Sequence, residues 1–407
     1  MPCVREVLTM QKLEQLIDKN FAETAHGKVA NYIPILEIVD PQQLGIAIYD
    51  VDEDEIGTAG MAGTRFAIES IAKVITLILA IKRLGHKRVL AELENGSADY
   101  SLSSVLLDDE LTEQVHRVNY LNNSSALLTT ALIDQLMGQN SFNALLGFCR
   151  EICNDPCISL NERLFRSAIM NDKDIHALAY YMKDKDILET VDQILITYFM
   201  QSSMMVTSQS LANLGAVLAN DGIKPWDNER LISHEDNELV KKLLTTVGSF
   251  EESKEYTIKI ELPIKSGTGG GLLACAPQKC GIGIFSPALD QHGNSLAGMS
   301  LLQDIYDETA AYKAQFGYSP SSVSGLTSTS VADSFGAITP AWVQGLKDAT
   351  GSTPYAVGGS ANTGLIPVNI NSTRDALIQA YPWNAAAFRG LPANYNIRTL
   401  QGIYYKR

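Results

Sequence analysis

From Ser70 to Leu84 the chain reads Ser-Ile-Ala-Lys-Val-Ile-Thr-Leu-Ile-Leu-Ala-Ile-Lys-Arg-Leu, with apolar residues on every face of a helix and Gly85 behind it as a stop. A helix that is apolar all round has no solvent face, so other layers of structure must enclose it. The chain must therefore bury a large core. With 407 residues, 45% hydrophobic and 19% charged, it is able to do so, and more than one domain is expected.

The same helix opens with Ser70-Ile71-Ala72-Lys73, and Lys265-Ser266-Gly267 follows far downstream. Residues at i and i+3 share a helical face, so the Ser70 hydroxyl and the Lys73 amine can meet in an interior, with the hydroxyl at the positive end of the helix. Burial makes a charged lysine costly, and a second cation such as Lys265 would lower its pKa further; that is how a lysine becomes a base near neutral pH. Ser70, Lys73 and Lys265 are thus candidate catalytic residues for serine acyl transfer. The same four residues also read as a snorkelling lysine beside a helix-capping serine.

A net charge of −14 argues against nucleic acid or an anionic membrane as partner and favours a small-molecule substrate. No apolar run is long enough to span a bilayer, and Met1-Pro2-Cys3-Val4-Arg5-Glu6 lacks the pattern of a secretion signal, so a soluble cytoplasmic protein is expected. Six cysteines are too few for a disulfide framework in a chain this long. Cys149, Cys153 and Cys157 recur like positions on one helix face, interrupted by Asp155-Pro156, and read as buried free thiols. The six histidines are scattered, so neither a metal nor another cofactor is expected.

Residues 311–407 carry three acids against seven bases, whereas the first 310 carry 43 acids and 25 bases, a charge of −18. Past Tyr312 the chain also turns rich in Ser, Thr, Gly, Ala and Asn. These shifts predict a domain over 1–310 and a separate segment over 311–407 whose fold the sequence does not specify. In the first part, Leu44–Val51 reads as a strand and Thr64–Ile68 leads into the Ser70 helix; helical patterns dominate 104–250; extended stretches return at Tyr256–Ile260, Gly271–Ala276 and Gly281–Ser286. An α+β fold follows, with one sheet assembled from both ends of this part and a helical subdomain inserted between them. Gly267, Gly269, Gly270 and Gly271 would let a ligand approach the backbone closely.

Several segments in order resemble the serine-dependent glutaminases, whose fold is that of β-lactamases and penicillin-binding proteins. They are Gly27-Lys28-Val29-Ala30-Asn31-Tyr32-Ile33-Pro34, Phe66-Ala67-Ile68-Glu69-Ser70-Ile71-Ala72-Lys73, Ala177-Leu178-Ala179-Tyr180, Thr197-Tyr198-Phe199-Met200-Gln201-Ser202-Ser203, Leu218-Ala219-Asn220-Asp221-Gly222, Leu262-Pro263-Ile264-Lys265-Ser266-Gly267, and Phe285-Ser286-Pro287 with Gly293-Asn294-Ser295. The resemblance covers about residues 27 to 308. It implies a β-lactamase-like antiparallel sheet with an inserted helical subdomain, and Ser70 as a nucleophile attacking the glutamine side-chain amide with Lys73 as base. It further implies an oxyanion hole from the backbone N–H groups of Ser70 and Thr268, substrate contacts from Tyr32, Asn123 and Tyr198, and a homodimer or homotetramer.

Three positions depart from the family pattern. Ala168 stands in place of a glutamate and Ile175 in place of an asparagine, both of which contact the amino-acid end of glutamine, and Phe250 replaces a tyrosine beside the nucleophile. Losing a charge-assisted contact to an ammonium would weaken binding about ten- to a hundredfold. Glu69, where the family usually has glutamine, is a candidate replacement carboxylate. Three functions stay open on these residues: a glutamine amidohydrolase; a binding protein that keeps the fold without the chemistry; and a hydrolase of another acyl substrate. Ala168 and Ile175 would suit the third by making the pocket more apolar, and Tyr120-Leu121-Asn122 resembles the Y-x-N of some serine esterases and β-lactamases.

Overall fold

A computed structural model describes residues 9–96, 119–247, 260 and 262–315. Its main sheet has five antiparallel strands: β1 (Gly45–Asp50), β2 (Glu55–Gly60), β6 (Ile264–Ser266), β7 (Gly271–Ala276) and β8 (Cys280–Phe285), in the order β2-β1-β8-β7-β6. The outer pair β2 and β1 comes from the beginning of the domain and the other three strands from its end, as the order of extended and helical stretches predicts. β1 pairs with β8 from Gly45 opposite Phe285 to Asp50 opposite Cys280.

Every residue of β1 is buried because both faces of the sheet are covered. Ile46 and Ile48 join one core with Leu13, Ile17, Leu301 and Ile305, from the helices Met10–Asn20 and Leu296–Gln315. Ala47 and Tyr49 point the other way, against Ala212 and Ala216 of the helix Ser208–Ala219. On this second face Gly281 and Gly283 of β8 meet helix backbone directly, which brings helix and sheet unusually close.

The inserted helical part includes Asn123–Met137, Ser141–Ile152, Glu162–Asn171, Lys173–Asp184 and Val191–Ser202. Packed against them lies the enclosed helix read from the sequence. It spans Ala72–Leu84, and Val74 through Ile81 are each 2% exposed or less. Gly85, at φ +80°, ends it and donates its N–H to Ile81. Ser70 lies just ahead, in a 3-10 turn over Glu69–Ile71, rather than in the α-helix itself.

Some expectations change. The middle of the chain is not helical throughout: β4 (Ser159–Leu160) and β5 (Met204–Val206) join β3 (Phe66–Ala67) in a second sheet of order β3-β5-β4. Strands of two or three residues are too short to leave a period-2 signal. Cys149 and Cys153 are buried free thiols, but Cys157 is exposed, because the helix ends at Ile152 and Asn154 at φ +44° turns the chain. The helix Leu296–Gln315 runs across residue 310. The rest of 311–407, Phe250 and most of the stretch Tyr256–Ile260 lie outside the described residues. Among those described, no helix is long and apolar enough to cross a membrane.

Candidate active site

The segment that carries Ser70 is pinned from both sides. Ile68 donates its N–H to Met204 of β5 at 2.9 Å, and the Phe66 ring stacks on Phe285 of β8 at 4.3 Å. Glu69 then turns the chain at φ +48°, a left-handed conformation that costs a non-glycine residue about 1–3 kcal/mol and is kept only where the surroundings enforce it. Part of that enforcement comes from the loop behind Lys265-Ser266. A Cβ on Gly269 would lie 2.3 Å from the Ala67 carbonyl oxygen, and one on Gly271 would lie 2.6 Å from the Phe66 ring. These two glycines therefore admit the chain's own nucleophile segment; the close approach expected of a ligand is made here by protein.

A cavity of about 170 Å³ opens on Ser70. Lys73, 7% exposed, lies one turn along, and its ammonium donates to Asn123 Oδ1 at 2.6 Å. Asn123 stands at the start of its helix, where the side chain of Asn122 accepts from Ser125 N and fixes the first turn. The Tyr198 hydroxyl donates to the same Asn123 oxygen at 3.4 Å. On the opposite wall, the Tyr32 hydroxyl donates to Glu69 Oε2 at 3.0 Å and lies 2.8 Å from Thr268 Oγ1. Among the described residues the Thr268 N–H donates to no protein acceptor. Ser70, in the first turn of its 3-10 segment, has no acceptor for its N–H within that segment either.

Burial dominates the electrostatics. It pushes the Lys73 amine down to about 8, against the opposing pull of Glu69 and Asp172. Lys265, 3% exposed, donates to its neighbour's Ser266 carbonyl at 2.8 Å. Burial and then the charge of Lys73 drive it well below the usual lysine range. It is not among the residues that line the cavity. Glu69, 6% exposed, is raised to about 7 by burial, with the Tyr32 hydrogen bond opposing and Asp172 adding to the rise. Burial and nearby carboxylates raise the Tyr32 and Tyr198 hydroxyls as well, keeping both protonated as donors.

The structure thus gathers Ser70, Lys73, Tyr32, Asn123, Tyr198 and Thr268 around one cavity. Of the departures, Ile175 lines it, whereas Ala168 is buried at 1% and does not reach it. The pocket is not the more apolar one expected from these two residues. Asp172 and Asp174 line it together with Glu69, and sequence reasoning missed both aspartates. Their signal is the run Asn171-Asp172-Lys173-Asp174: Asp172 caps the Lys173–Asp184 helix by accepting from Ile175 N at 3.1 Å, which fixes its carboxylate at the mouth of the cavity. The Y-x-N tripeptide has structural work elsewhere, since Tyr120 donates to Glu94 at 2.8 Å and Asn122 is the helix cap. Asp221, His234 and Glu238 come within 4.8 Å of one another outside the cavity, but Arg230, 3.1 Å away, already offsets the charge of Asp221.

A family model described as Glutaminase matches residues 27–312. The chain belongs to the glutaminase family. Among glutaminases of known sequence, Glutaminase 1 of Clostridium perfringens is 43% identical over 297 residues, spanning 73% of this chain and 96% of the relative. Glutaminase 2 of the same organism is 40% identical over 297 residues, spanning 73% and 97%. Among solved glutaminase structures, a probable glutaminase from Bacillus subtilis complexed with 6-diazo-5-oxo-L-norleucine superposes with a TM-score of 0.65 at 30% identity, over 73% of this chain and 94% of that one. The mixed helical and antiparallel architecture is therefore that of the glutaminases.

Proposed function

We propose that this chain hydrolyses the side-chain amide of L-glutamine to L-glutamate and ammonia through an acyl-enzyme on Ser70. The observation that carries this reading is the sharing of one cavity by Ser70, a lysine amine at about 8 and the undonated N–H of Thr268. Neutral Lys73 takes the proton of Ser70 Oγ as Oγ attacks the amide carbon. The N–H groups of Ser70 and Thr268 receive the developing oxyanion. Ammonia leaves with a proton returned by Lys73, and water then releases glutamate by the same steps. Burial of the Lys73 amine is what favours its neutral form. Asn123, Tyr198 and Tyr32 present hydrogen-bonding groups to the substrate. An acidic chain with five free cysteines among its described residues suits the cytoplasm, and the family resemblance supports a homodimer or homotetramer.

The test is equimolar glutamate and ammonia from L-glutamine, together with intact mass after 6-diazo-5-oxo-L-norleucine. Turnover with a single adduct supports the reading, and folded protein giving neither refutes it. The pH profile is a second expected result. Lys73 works as a base only without its proton, so kcat should rise about tenfold per unit below pH 8 and level off above it. A kcat that falls over that range would remove Lys73 from the role.

A further inference from the structure

We propose that Glu69 and Asp172 together form a subsite for the substrate's cationic α-ammonium group, making them specificity-determining residues for an amide that carries a free amine. The inference rests on the glutaminase reading and deepens it.

Both carboxylates line the cavity that contains Ser70, and each has one oxygen committed to the protein. Glu69 Oε2 accepts from Tyr32 and Asp172 Oδ1 accepts from Ile175 N. Glu69 Oε1 and Asp172 Oδ2 have no hydrogen-bond partner among the described residues, and neither side chain has an ion-pair partner there. Glu69 is 6% exposed, and its Oε1 is not sealed off as a buried unpartnered atom, so its accessible surface faces the cavity. Lys73 is the one lysine or arginine lining the cavity among the described residues, and its ammonium is directed at Asn123. On the Asp172 side, His176 turns its Nδ1 back 2.7 Å onto the Asp172 carbonyl oxygen. Asp174, exposed, is a third carboxylate lining the cavity.

Among the described residues Lys73 is the one cation facing these two carboxylates, and as a base it has to give up its charge, so a ligand that supplies positive charge offsets the cost of holding both carboxylates in one pocket. An anionic end of a ligand would be repelled from this wall, and a neutral one would leave both free oxygens uncompensated. An ammonium group offers three donors and one positive charge, matching two free acceptor oxygens on neighbouring carboxylates. With the amide carbon at Ser70, an α-ammonium reaching Glu69 and Asp172 also fixes which end of the substrate enters first.

The experiment compares L-glutamine with 4-carbamoylbutanoate, the same amide acid without its amine, as substrates of the wild type, Asp172→Asn and Glu69→Gln. Asparagine keeps the helix cap and glutamine keeps an acceptor for Tyr32, so each variant removes charge while preserving shape. The wild type should prefer L-glutamine in kcat/KM, and each variant should lose about ten- to a hundredfold of that preference, mainly through KM for L-glutamine. Unchanged preference in both variants, at unchanged thermal midpoint, overturns the subsite. If the wild type turns over neither amide, the glutaminase reading has failed separately. Calorimetric binding of the same two compounds to the wild type and to Asp172→Asn then tests the subsite, and equal relative affinity in the two proteins overturns it.

Discussion

Ser70→Ala is expected to lower ammonia production from L-glutamine by about 10⁴-fold or more and to abolish the covalent adduct with 6-diazo-5-oxo-L-norleucine. Removing a nucleophile takes away the covalent route itself, and the remaining catalysis is what binding and oxyanion stabilisation supply to water. The substitution is gentle on the fold. Ser70 is half-buried, its hydroxyl makes no hydrogen bond among the described residues, and its neighbours Ile68 and Ile71, both 0% exposed, hold the turn in place. Thermal midpoints of the two proteins should therefore agree within a few degrees. A variant that retains more than about a tenth of the activity would move the nucleophile elsewhere. Glutamine affinity of Ser70→Ala, measured by calorimetry, should remain close to the wild-type KM where chemistry is rate-limiting.

The largest effect on stability is expected from Gly281→Ala, far from any chemistry. A Cβ on Gly281 would lie 2.0 Å from the Ala212 carbonyl oxygen and 2.1 Å from Ala216 N, both backbone atoms of the helix Ser208–Ala219. Gly215 on that helix is complementary, since a Cβ there would come within 2.6 Å of the Ala274 carbonyl oxygen. No side chain can rotate away from such contacts, so helix and sheet must separate along β8 and β1, where the core is continuous. A loss of more than about 3 kcal/mol is expected in urea unfolding, at the upper end of what overpacking costs. Gly147→Ala is the control. It lies inside the Ser141–Ile152 helix with nothing within 4 Å of the added Cβ, and alanine there should stabilise by about 0.5–1 kcal/mol. Equal midpoints for Gly281→Ala and wild type would mean that the helix does not pack on β8 this closely.

The two glycine predictions differ only through tertiary contact, and the same distinction governs how far the sequence could be read. Val74 through Ile81 advertise an enclosed helix by composition alone, and β1, β7 and β8 appear within a residue of where their apolar runs place them. Ser70 and Lys73 are legible because an i, i+3 spacing across a 3-10 turn and the first turn of the helix behind it is a local fact. The charge state of that lysine was only half legible. Lys265 was expected to depress Lys73, but Lys73 is lowered chiefly by its own burial and Lys265 bears the effect of their proximity. Asp172 escaped notice because an N-cap aspartate is ordinary in sequence, and only the direction of the cavity distinguishes it from any other cap.

By itself, then, the sequence determined the enclosed helix, the strands β1, β7 and β8, the largely helical middle of the chain, and which short motif could carry acyl transfer. These follow from side-chain periodicity, backbone propensity and covalent spacing, all of which act over a few residues. The tertiary structure alone decided that Gly269 and Gly271 make room for the nucleophile turn, that Gly281 seats a helix, that Cys157 is exposed, and that Glu69 and Asp172 share a pocket with Ser70. Each depends on atoms distant in the chain meeting at a few ångströms, where backbone sterics and the loss of water set the energy, and no local pattern encodes that meeting.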